Sequence, residues 1–282
     1  MRNSLKVLIL TLALAVSAFA ANWTGSTSEP ENTKKIDGKV FYVITSAEEL
    51  AWFAAQVNGG KSTINAVLAN DIKFMTDTSK TSSVNWTPIG KDSTRMFNGT
   101  FDGAGKTIYG LYCSKYKFSG IFGVTNSNAV IKNLHSKNGS VVTYQGGYAG
   151  GIVAVNNGQI ENCVNGDKVS AEKYGDAGGG IAGWNAGTIS GCTNSDSVCS
   201  YYAGGIAGRN AGEISNSTNG GSIFGHTYDS GDRSFCGGIT GRNEGTISKS
   251  KNKGYVSGVL TKGGCYIVVV LRALTLGRFS TV

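Results

Sequence analysis

Five aspartates in the second half of the chain could support hydrolysis, because paired carboxylates supply the acid and the base of glycoside cleavage. They are Asp167, Asp176, Asp196, Asp229 and Asp232. Polysaccharide-cleaving enzymes need paired carboxylates, or calcium-binding carboxylates beside a basic residue, on one face. We expect none of the five to share a repeated register that would hold two of them close together. The densest group is Asp229-Ser-Gly-Asp232-Arg233, which a solvated turn explains as well as an active site does. The sequence therefore assigns no catalytic residue.

Metal and nucleotide motifs are incomplete in this chain. The two histidines, His135 and His226, are isolated, no CxxC pair occurs, and neither histidine begins the HExxH of a zinc peptidase. The GxGxxG match from Gly178 lies within a strand-and-turn pattern, whereas a nucleotide site needs a strand followed by a helix. Residues 103–107 resemble part of a phosphate-binding loop, but Thr100 stands where its first glycine is required. We predict no metal site and no cofactor.

Trp184, Arg209 and Arg242 are better candidates for binding. They hold one position in three copies of a repeat, so they should form one outward stripe. An exposed aromatic face stacks on a sugar ring, and guanidinium groups pair with carboxylates or sulfates. The alternative is that the two arginines pack along the tryptophan without a ligand. The stripe predicts a polysaccharide or another cell-surface ligand as the partner.

The repeat returns every 25 to 33 residues. Its copies are GGIVAVNNGQIENCVN from Gly150, GGIAGWNAGTISGCTN from Gly179, GGIAGRNAGEISNSTN from Gly204 and GGITGRNEGTISKSKN from Gly237. The full units begin at about 148, 177, 203 and 236. Such a period predicts a solenoid in which each copy is one turn that covers the next.

Positions within the repeat have distinct predicted roles. The isoleucines of the first column should point inward: Ile152, Ile181, Ile206 and Ile239. Asparagines four residues later should stack at a corner: Asn156, Asn185, Asn210 and Asn243. The glycines after them should have positive φ: Gly158, Gly187, Gly212 and Gly245. A second inward column (Ile160, Ile189, Ile214, Ile247) and a second asparagine corner (Asn165, Asn194, Asn219, Asn252) complete the turn.

These repeats resemble the GLUG motif of exported bacterial proteins. The segments FNGTFDGAGKTIYGL and SGIFG resemble the early turns of the same proteins, so the resemblance covers roughly residues 36–261. It implies an all-β, right-handed parallel β-helix and the role of a surface adhesin or passenger region. The motif also accompanies IgA-cleaving metallopeptidases, whose HExxH is missing here. The alternative function is a carbohydrate-active enzyme, a polysaccharide lyase or glycosidase, on the same scaffold.

The N-terminus predicts export. Residues 1–20 read as a cleavable signal peptide, because basic residues precede an apolar run and Ala18-Phe-Ala20 fits a cleavage site. The apolar run is too short to span a membrane, so we expect no integral membrane segment after cleavage and a secreted or cell-surface location. The whole chain has a net charge of +8. Residues 21–261 contain 21 basic and 18 acidic residues, so this part has a net charge of +3. No basic run stands out there, and we predict no nucleic-acid partner.

The mature chain should be one domain with an N-terminal cap. Residues 21–35 read as an exposed polar leader, residues 36–75 as a cap with a helix at 46–58 between two strands, and residues 76–261 as the β-helix. Ser46 and Glu49 predict a capping box, and Gly59 predicts a left-handed stop. Leu50, Phe53, Ala54 and Val57 form an apolar stripe that should cover the open end of the solenoid.

Two further features leave alternatives open. Cys163 and Cys192 hold one repeat position, which suits a disulfide or two stacked thiols; thiols are favoured because serine replaces them in later copies. Residues 262–282 do not fit the repeat. Gly263-Gly264 begins a fifth copy on schedule, but the asparagines and turn glycines do not follow. We predict a shifted reading frame or a truncated gene from near Cys265.

Overall fold

The computed structural model describes residues 22–143, 146–171, 176–226 and 234–258, and the backbone of residues 265–268. The predicted signal peptide, the loop with Asp229, Asp232 and Arg233, and most of the predicted anomalous tail lie outside the described residues.

The chain winds into a parallel β-solenoid, which confirms the predicted fold class. Each repeat contributes one short strand in turn to sheets 1, 2 and 3, and one or two to sheet 4. Strands of successive turns pair in parallel, and a bulge between Lys137 and Ser140 shifts the register of one strand in sheet 4. In the four repeats, identical positions lie directly above one another.

The strands and the helix have the following bounds. Sheet 1 contains Phe118–Ser119, Tyr148–Gly150, Ala177–Gly179, Tyr202–Gly204, Ser234–Gly237 and Cys265–Val268. Sheet 2 contains Phe122–Val124, Val153–Asn156, Ala182–Asn185, Ala207–Asn210 and Thr240–Asn243. Sheet 3 contains Thr33–Ile36, Lys39–Ile44, Asn65–Leu68, Thr100–Asp102, Val130–Lys132, Gln159–Glu161, Thr188–Ser190, Glu213–Ser215 and Thr246–Ser248. Sheet 4 contains Ile72–Lys73, Thr107–Tyr109, Tyr112–Cys113, His135–Thr143, Val164–Ala171, Thr193–Asn194, Val198–Ser200, Thr218–Asn219, Ile223–Gly225, Lys251–Asn252 and Val256–Gly258. The helix spans Ala47–Asn58.

The helix packs its apolar stripe onto the first turns. Phe53 is fully buried, and its ring centroid lies 6.1 Å from that of Phe97 and 6.0 Å from that of Phe101. The Ser46 hydroxyl accepts a hydrogen bond from the Glu49 amide at 3.3 Å, as a capping box requires. The Glu49 carboxylate, however, reaches the amide and hydroxyl of Thr45.

The left-handed residue after the helix lies one position later than predicted. Gly59 has φ −80°, so its predicted left-handed conformation is wrong. Gly60 has φ +110° and makes the reversal. The strands on either side of the helix, Lys39–Ile44 and Asn65–Leu68, pair in parallel as adjacent rungs of sheet 3.

The segment predicted as an exposed leader is partly packed, and that prediction is wrong at Trp23. Its side chain is buried, its ring centroid lies 4.9 Å from that of Phe74, and its backbone amide bonds to the Phe74 carbonyl. Apolar burial outweighs the polar composition of its neighbours. Thr33–Ile36 then pairs antiparallel with Lys39–Ile44, which ends the parallel stack. The lysines of this edge strand oppose pairing with another chain.

The inward columns are confirmed. Ile152, Ile181, Ile206 and Ile239 are fully buried, as are Ile160, Ile189 and Ile214. Ile247, in the last described full turn, is half-buried.

Asparagines form two buried ladders, as the repeat predicted. In the first, Asn156, Asn185 and Asn210 each donate Nδ2 to the Oδ1 of the next asparagine at 2.7–2.8 Å, ending at Asn243. The second ladder, from Asn165 to Asn252, has the same spacing. Hydroxyl groups start both ladders: Thr125 donates to Asn156, and Ser136 donates to Asn165. A buried amide with its partners satisfied stabilises the stack, whereas one left unpaired would cost about 1–3 kcal/mol.

The turn glycines are required by close stacking. The prediction that Gly158, Gly187, Gly212 and Gly245 have positive φ is wrong, since none of them does. A Cβ on Gly187 would lie 2.0 Å from the Gly158 carbonyl oxygen, and one on Gly212 would lie 2.0 Å from that of Gly187. Positive φ instead recurs one corner later. The residues there are Asn133, Asn162, Gly191, Asn216 and Lys249.

The second glycine of each Gly-Gly pair makes room for an asparagine. A Cβ on Gly205 would lie 2.2 Å from the Gly238 carbonyl oxygen and 2.3 Å from Asn219 Cγ. Gly151, Gly180 and Gly238 meet Asn165, Asn194 and Asn252 in the same way. The second asparagine ladder therefore requires the second glycine of each Gly-Gly pair.

Cys163 and Cys192 are buried free thiols, so the stacked-thiol alternative is confirmed. The Cys163 amide donates to Cys192 Sγ at 3.4 Å. The Cys192 amide in turn donates to Ser217 Oγ at 3.2 Å, so serine continues the column. Burial raises the pKa of the Cys163 thiol well above its ordinary value, and the neighbouring Cys192 thiol raises it further.

The predicted phase of a fifth repeat is wrong. Cys265–Val268 pairs with Ser234–Gly237, which places Val268 opposite Gly237. The sequence pattern placed Gly263 there. At this position Gly150, Gly179 and Gly204 would each bring a Cβ within 1.9 Å of a backbone oxygen. The strand therefore continues sheet 1 without the glycine that the earlier turns require.

Replacement of Gly205 by alanine should destabilise the protein by about 3 kcal/mol, because the new Cβ meets backbone and ladder atoms that cannot withdraw. Gly220→Ala is the matched control, since its Cβ would find its nearest neighbour at 3.6 Å. That variant should stay within about 0.5 kcal/mol of wild type. Urea denaturation of both variants measures the difference; equal stabilities would contradict the close-stacking account.

Thiol labelling should leave Cys163 and Cys192 unmodified in the native protein, because both side chains are sealed from solvent and burial suppresses the reactive thiolate of Cys163. Among the cysteines whose side chains the structure describes, the half-buried Cys199 should react first. Peptide mapping after labelling, with and without urea, checks this. A Cys163–Cys192 disulfide in the native map would contradict it.

Candidate functional site

Trp184, Arg209 and Arg242 lie on the outer face of the solenoid, as their repeat position predicted. Trp184 pairs in register with Arg209, and Arg209 pairs with Arg242, so they occupy consecutive turns of sheet 2. Trp184 and Arg209 are half-buried, and Arg242 is exposed. All three point outward.

Each of the three has a specific partner. The Arg209 guanidinium carbon lies 4.0 Å from the centroid of the Tyr202 ring, a cation–π contact. Arg242 Nε lies 2.7 Å from Glu244 Oε1, with both side chains about half exposed, at 49% and 48%. Trp184 meets Tyr148 edge-on with ring centroids 5.9 Å apart. Arg209 thus packs on a tyrosine that the sequence had not singled out.

A column of aromatic residues in sheet 1 lies beside the stripe. Tyr148 pairs in register with Phe118, and their rings are stacked at 3° with centroids 6.3 Å apart. Tyr202 pairs with Phe235, and their rings are stacked at 9° with centroids 5.1 Å apart. Ala177 interrupts the column between the two pairs. Trp184, on the same turn as Ala177, contacts Tyr148 and extends the first pair.

These rings form the aromatic strip, defined as Phe118, Tyr148, Trp184, Tyr202 and Phe235. Sequence reasoning found only Trp184. The missed signal stands four residues before each repeat isoleucine, where the chain carries Tyr148, Ala177, Tyr202 and Phe235. Aromatic residues at three of these four positions could have revealed the column.

Cationic side chains lie at both ends of the aromatic strip. Lys117 Nζ is 5.8 Å from the centroid of Phe118, at the N-terminal end. Arg209 and Arg242 lie toward the other end, and the Glu244 carboxylate offsets the charge of Arg242. The strip can therefore offer flat apolar faces to a ligand together with positive charge beside them.

A groove of about 280 Å³ opens beside Trp184. Its apolar walls are Met96, Phe118, Val124, Tyr148, Val155 and Trp184, and Ser93 and Asn157 add polar groups. The groove lies between the loop that contains Met96 and the first half of the aromatic strip.

A second cavity, of about 380 Å³, lies on sheet 4. Its lining includes His135, Lys137, Asn138 and Asp196. Within the ranges that the structure describes, no group of three or more metal-ligating side chains is close enough to hold a metal ion.

Asp167 and Asp196 share a turn position, so the expectation that the aspartates share no register is wrong for this pair. Each stands two residues after a ladder asparagine, and those asparagines, Asn165 and Asn194, pair in register. Asp167 is completely buried, however, and cannot reach a substrate. The pair does not form an accessible acid and base.

Burial raises the pKa of the Asp167 carboxyl to about 7, and the nearby Asp196 charge adds to the rise. A hydrogen bond from the Gly139 amide to Oδ1, at 2.7 Å, opposes the rise. Oδ2 has no hydrogen-bond partner among the described residues. The folded protein therefore favours the protonated acid below about pH 7.

Comparison with known proteins shows the fold. No protein-family model and no curated protein matches the chain. A similar solved structure is that of a "putative immunoglobulin A1 protease" from Bacteroides ovatus, at 23% identity and a TM-score of 0.60. The match covers 88% of this chain and 82% of that one. Among the described residues, no helix is long and apolar enough to cross a membrane.

The buried Asp167 predicts a pH-dependent stability. Its pKa is about 7 in the folded state against an ordinary 3.8, so the folded state binds more protons between these values. The free energy of unfolding should fall as pH rises from about 4 to about 7, by roughly 4 kcal/mol from this group. Asp167→Asn keeps the acceptor for Gly139 and removes the ionisation. It should be about 2 kcal/mol more stable than wild type at pH 8, with the slope lost.

Urea denaturation at a series of pH values measures this slope. Asp196→Asn is the control, because it removes the neighbouring charge and leaves the buried carboxyl, so most of the slope should remain. An unchanged slope in Asp167→Asn would contradict the assignment.

Proposed function

We propose that this protein is an exported binding module that attaches to anionic glycans on a cell or matrix surface through the aromatic strip. The observation that carries the proposal is the row of five outward rings on adjoining sheets, with Lys117, Arg209 and Arg242 beside it. Aromatic faces stack on the apolar faces of sugar rings, and the cations attract carboxylate or sulfate groups.

The solenoid supports this proposal through its shape. Successive turns repeat at the spacing of paired strands, about 4.8 Å, so the strip offers an extended surface suited to a linear chain. The strands that carry Tyr148, Trp184, Tyr202 and Phe235 each pair with a neighbour on both sides, so the backbone at these rings is already ordered before binding.

Export to the cell surface or the medium belongs to the same proposal. It rests on the signal-peptide pattern of residues 1–20 and on the resemblance of the repeats to the GLUG motif. One solved structure with a similar fold is named as a protease, but similarity of fold does not assign a protease activity to this chain.

The described residues do not favour a glycosidase, one form of the alternative of a carbohydrate-active enzyme. Asp167 is sealed from solvent, and Glu244, beside the strip, is paired with Arg242. Glycoside cleavage needs two accessible carboxylates facing one bond.

Replacement of Trp184 by alanine should weaken binding to acidic polysaccharides about three- to tenfold, because one stacking face is lost. Binding should also weaken as salt is raised, since exposed charges are screened over about 8 Å at physiological ionic strength. A glycan array followed by titration at two salt concentrations measures both effects. The melting temperature should change little, because the side chain points outward.

Tyr255→Ala is the matched control, since Tyr255 is an aromatic residue 65% exposed on another part of the surface. It should bind as wild type does. Equal binding by wild type and by the Trp184→Ala, Arg209→Ala, Arg242→Ala triple variant would refute the proposed site.

A further inference from the structure

The groove beside Trp184 differs from the rest of the aromatic strip because it is recessed. Met96 and Val155 supply aliphatic surface between the rings of Phe118, Tyr148 and Trp184. A flat sugar face stacks on an open ring, whereas a recess of this kind accepts a small apolar group that projects from the sugar. At about 280 Å³ it lies just below the usual range of small-molecule sites, about 300–1,000 Å³.

Two hydrogen-bonding groups in the groove are unused within the described part of the chain. Asn157 Nδ2 donates to the Thr125 carbonyl at 2.7 Å and its backbone amide donates to Thr125 Oγ1 at 3.0 Å. The amide orientation is fixed by these bonds, and Asn157 Oδ1 is left as an acceptor. The Ser93 hydroxyl, across the groove, is likewise available as a donor. The groove thus combines an apolar recess with one acceptor and one donor.

We propose that this groove recognises the N-acetyl group of an amino sugar within an anionic glycan. The acetamido methyl fits the aliphatic recess, its N–H can donate to Asn157 Oδ1, and its carbonyl can accept from Ser93. This inference rests on the proposed function and deepens it: the glycan class becomes one that carries N-acetylated amino sugars next to carboxylate or sulfate groups.

The positions of the cations agree with this assignment. Trp184 forms one wall of the groove, and Arg209 stands on the next turn in register with it. Lys117 flanks Phe118, which forms another wall. An N-acetylated sugar in the groove therefore has positive charge within reach of its neighbours on both sides. A neutral aryl group or an acyl chain would gain nothing from these charges.

The test compares two forms of one glycan. Oligosaccharides in which glucuronic acid alternates with N-acetylglucosamine are deacetylated at nitrogen and then either re-acetylated or formylated. The formyl form keeps the amide and the charge and lacks only the methyl group. Burial of one methyl group is worth about 0.8 kcal/mol, so calorimetric titration should show about fourfold weaker binding of the formyl form.

Val155→Trp is the variant that separates the groove from the strip. Residues in register with Val155 on later turns are Trp184 and Arg209, so the fold accepts a large side chain at this position. The new ring should block the aliphatic part of the groove and cover the ring faces that line it, while Tyr202, Phe235 and the neighbouring arginines of the strip stay accessible. The variant should bind the acetyl and formyl forms equally, and its melting temperature shows that it is folded.

The outcomes distinguish the two proposals. Equal binding of both forms by wild type, or a preference for the acetyl form that persists in Val155→Trp, would overturn the groove assignment. If both forms still bind in a Trp184-dependent manner, the proposed function stands alone. Absence of binding of either form by wild type, with other acidic polysaccharides still bound in the glycan array, overturns the groove assignment alone. Absence of binding to every acidic glycan overturns both proposals.

Discussion

Hydrogen bonds between stacked asparagine side chains hold successive turns together, and they depend on residues that have no side chain at all. Asn194 reaches Asn219 at 2.8 Å only because Gly180 and Gly205 leave space for the two amides. Gly187 and Gly212, at another corner of the turn, similarly allow the backbones of successive turns to lie against each other. Buried amides with every partner in place are stabilising, and any of them left unpaired is costly. The turn geometry is therefore fixed by a coupled set of glycine and asparagine positions.

The asparagine ladders and the inward isoleucine columns specify the solenoid. The outward positions are therefore free to vary. The outward register position of sheet 2 holds valine, tryptophan and arginine in successive turns, and the sheet 1 column holds aromatic residues on every described turn except that of Ala177. Variation at these positions does not disturb the core. Residues at one outward position of the repeat therefore lie above one another on the surface, so that their rings and charges are regularly spaced.

The sealed Asp167 carboxyl shows how strongly the core position of a residue governs its chemistry. Asp167 and Asp196 share a turn position and a residue type, yet Asp167 is completely buried and Asp196 lines an open cavity. Desolvation raises the pKa of the Asp167 carboxyl to about 7. Burial also keeps this carboxyl from contacting a substrate at the surface. A pair of aspartates in register is therefore insufficient for hydrolysis here.

The sequence alone determined the solenoid, its inward isoleucines, its asparagine corners, the helix and the outward direction of Trp184, Arg209 and Arg242, because a repeat in register leaves little choice of period or parity. Other features depended on distances between turns. The sequence could not show that Gly187 is needed for close approach, that Trp23 is buried, or that Asp167 is sealed. Nor could it place the strand at Cys265–Val268 in register with the previous turn. The sheet 1 column of the aromatic strip could be read from the repeat, but its contact with Trp184 and the groove required the tertiary structure, because neighbouring sheets bring together residues such as Tyr148 and Trp184 that lie on different turns.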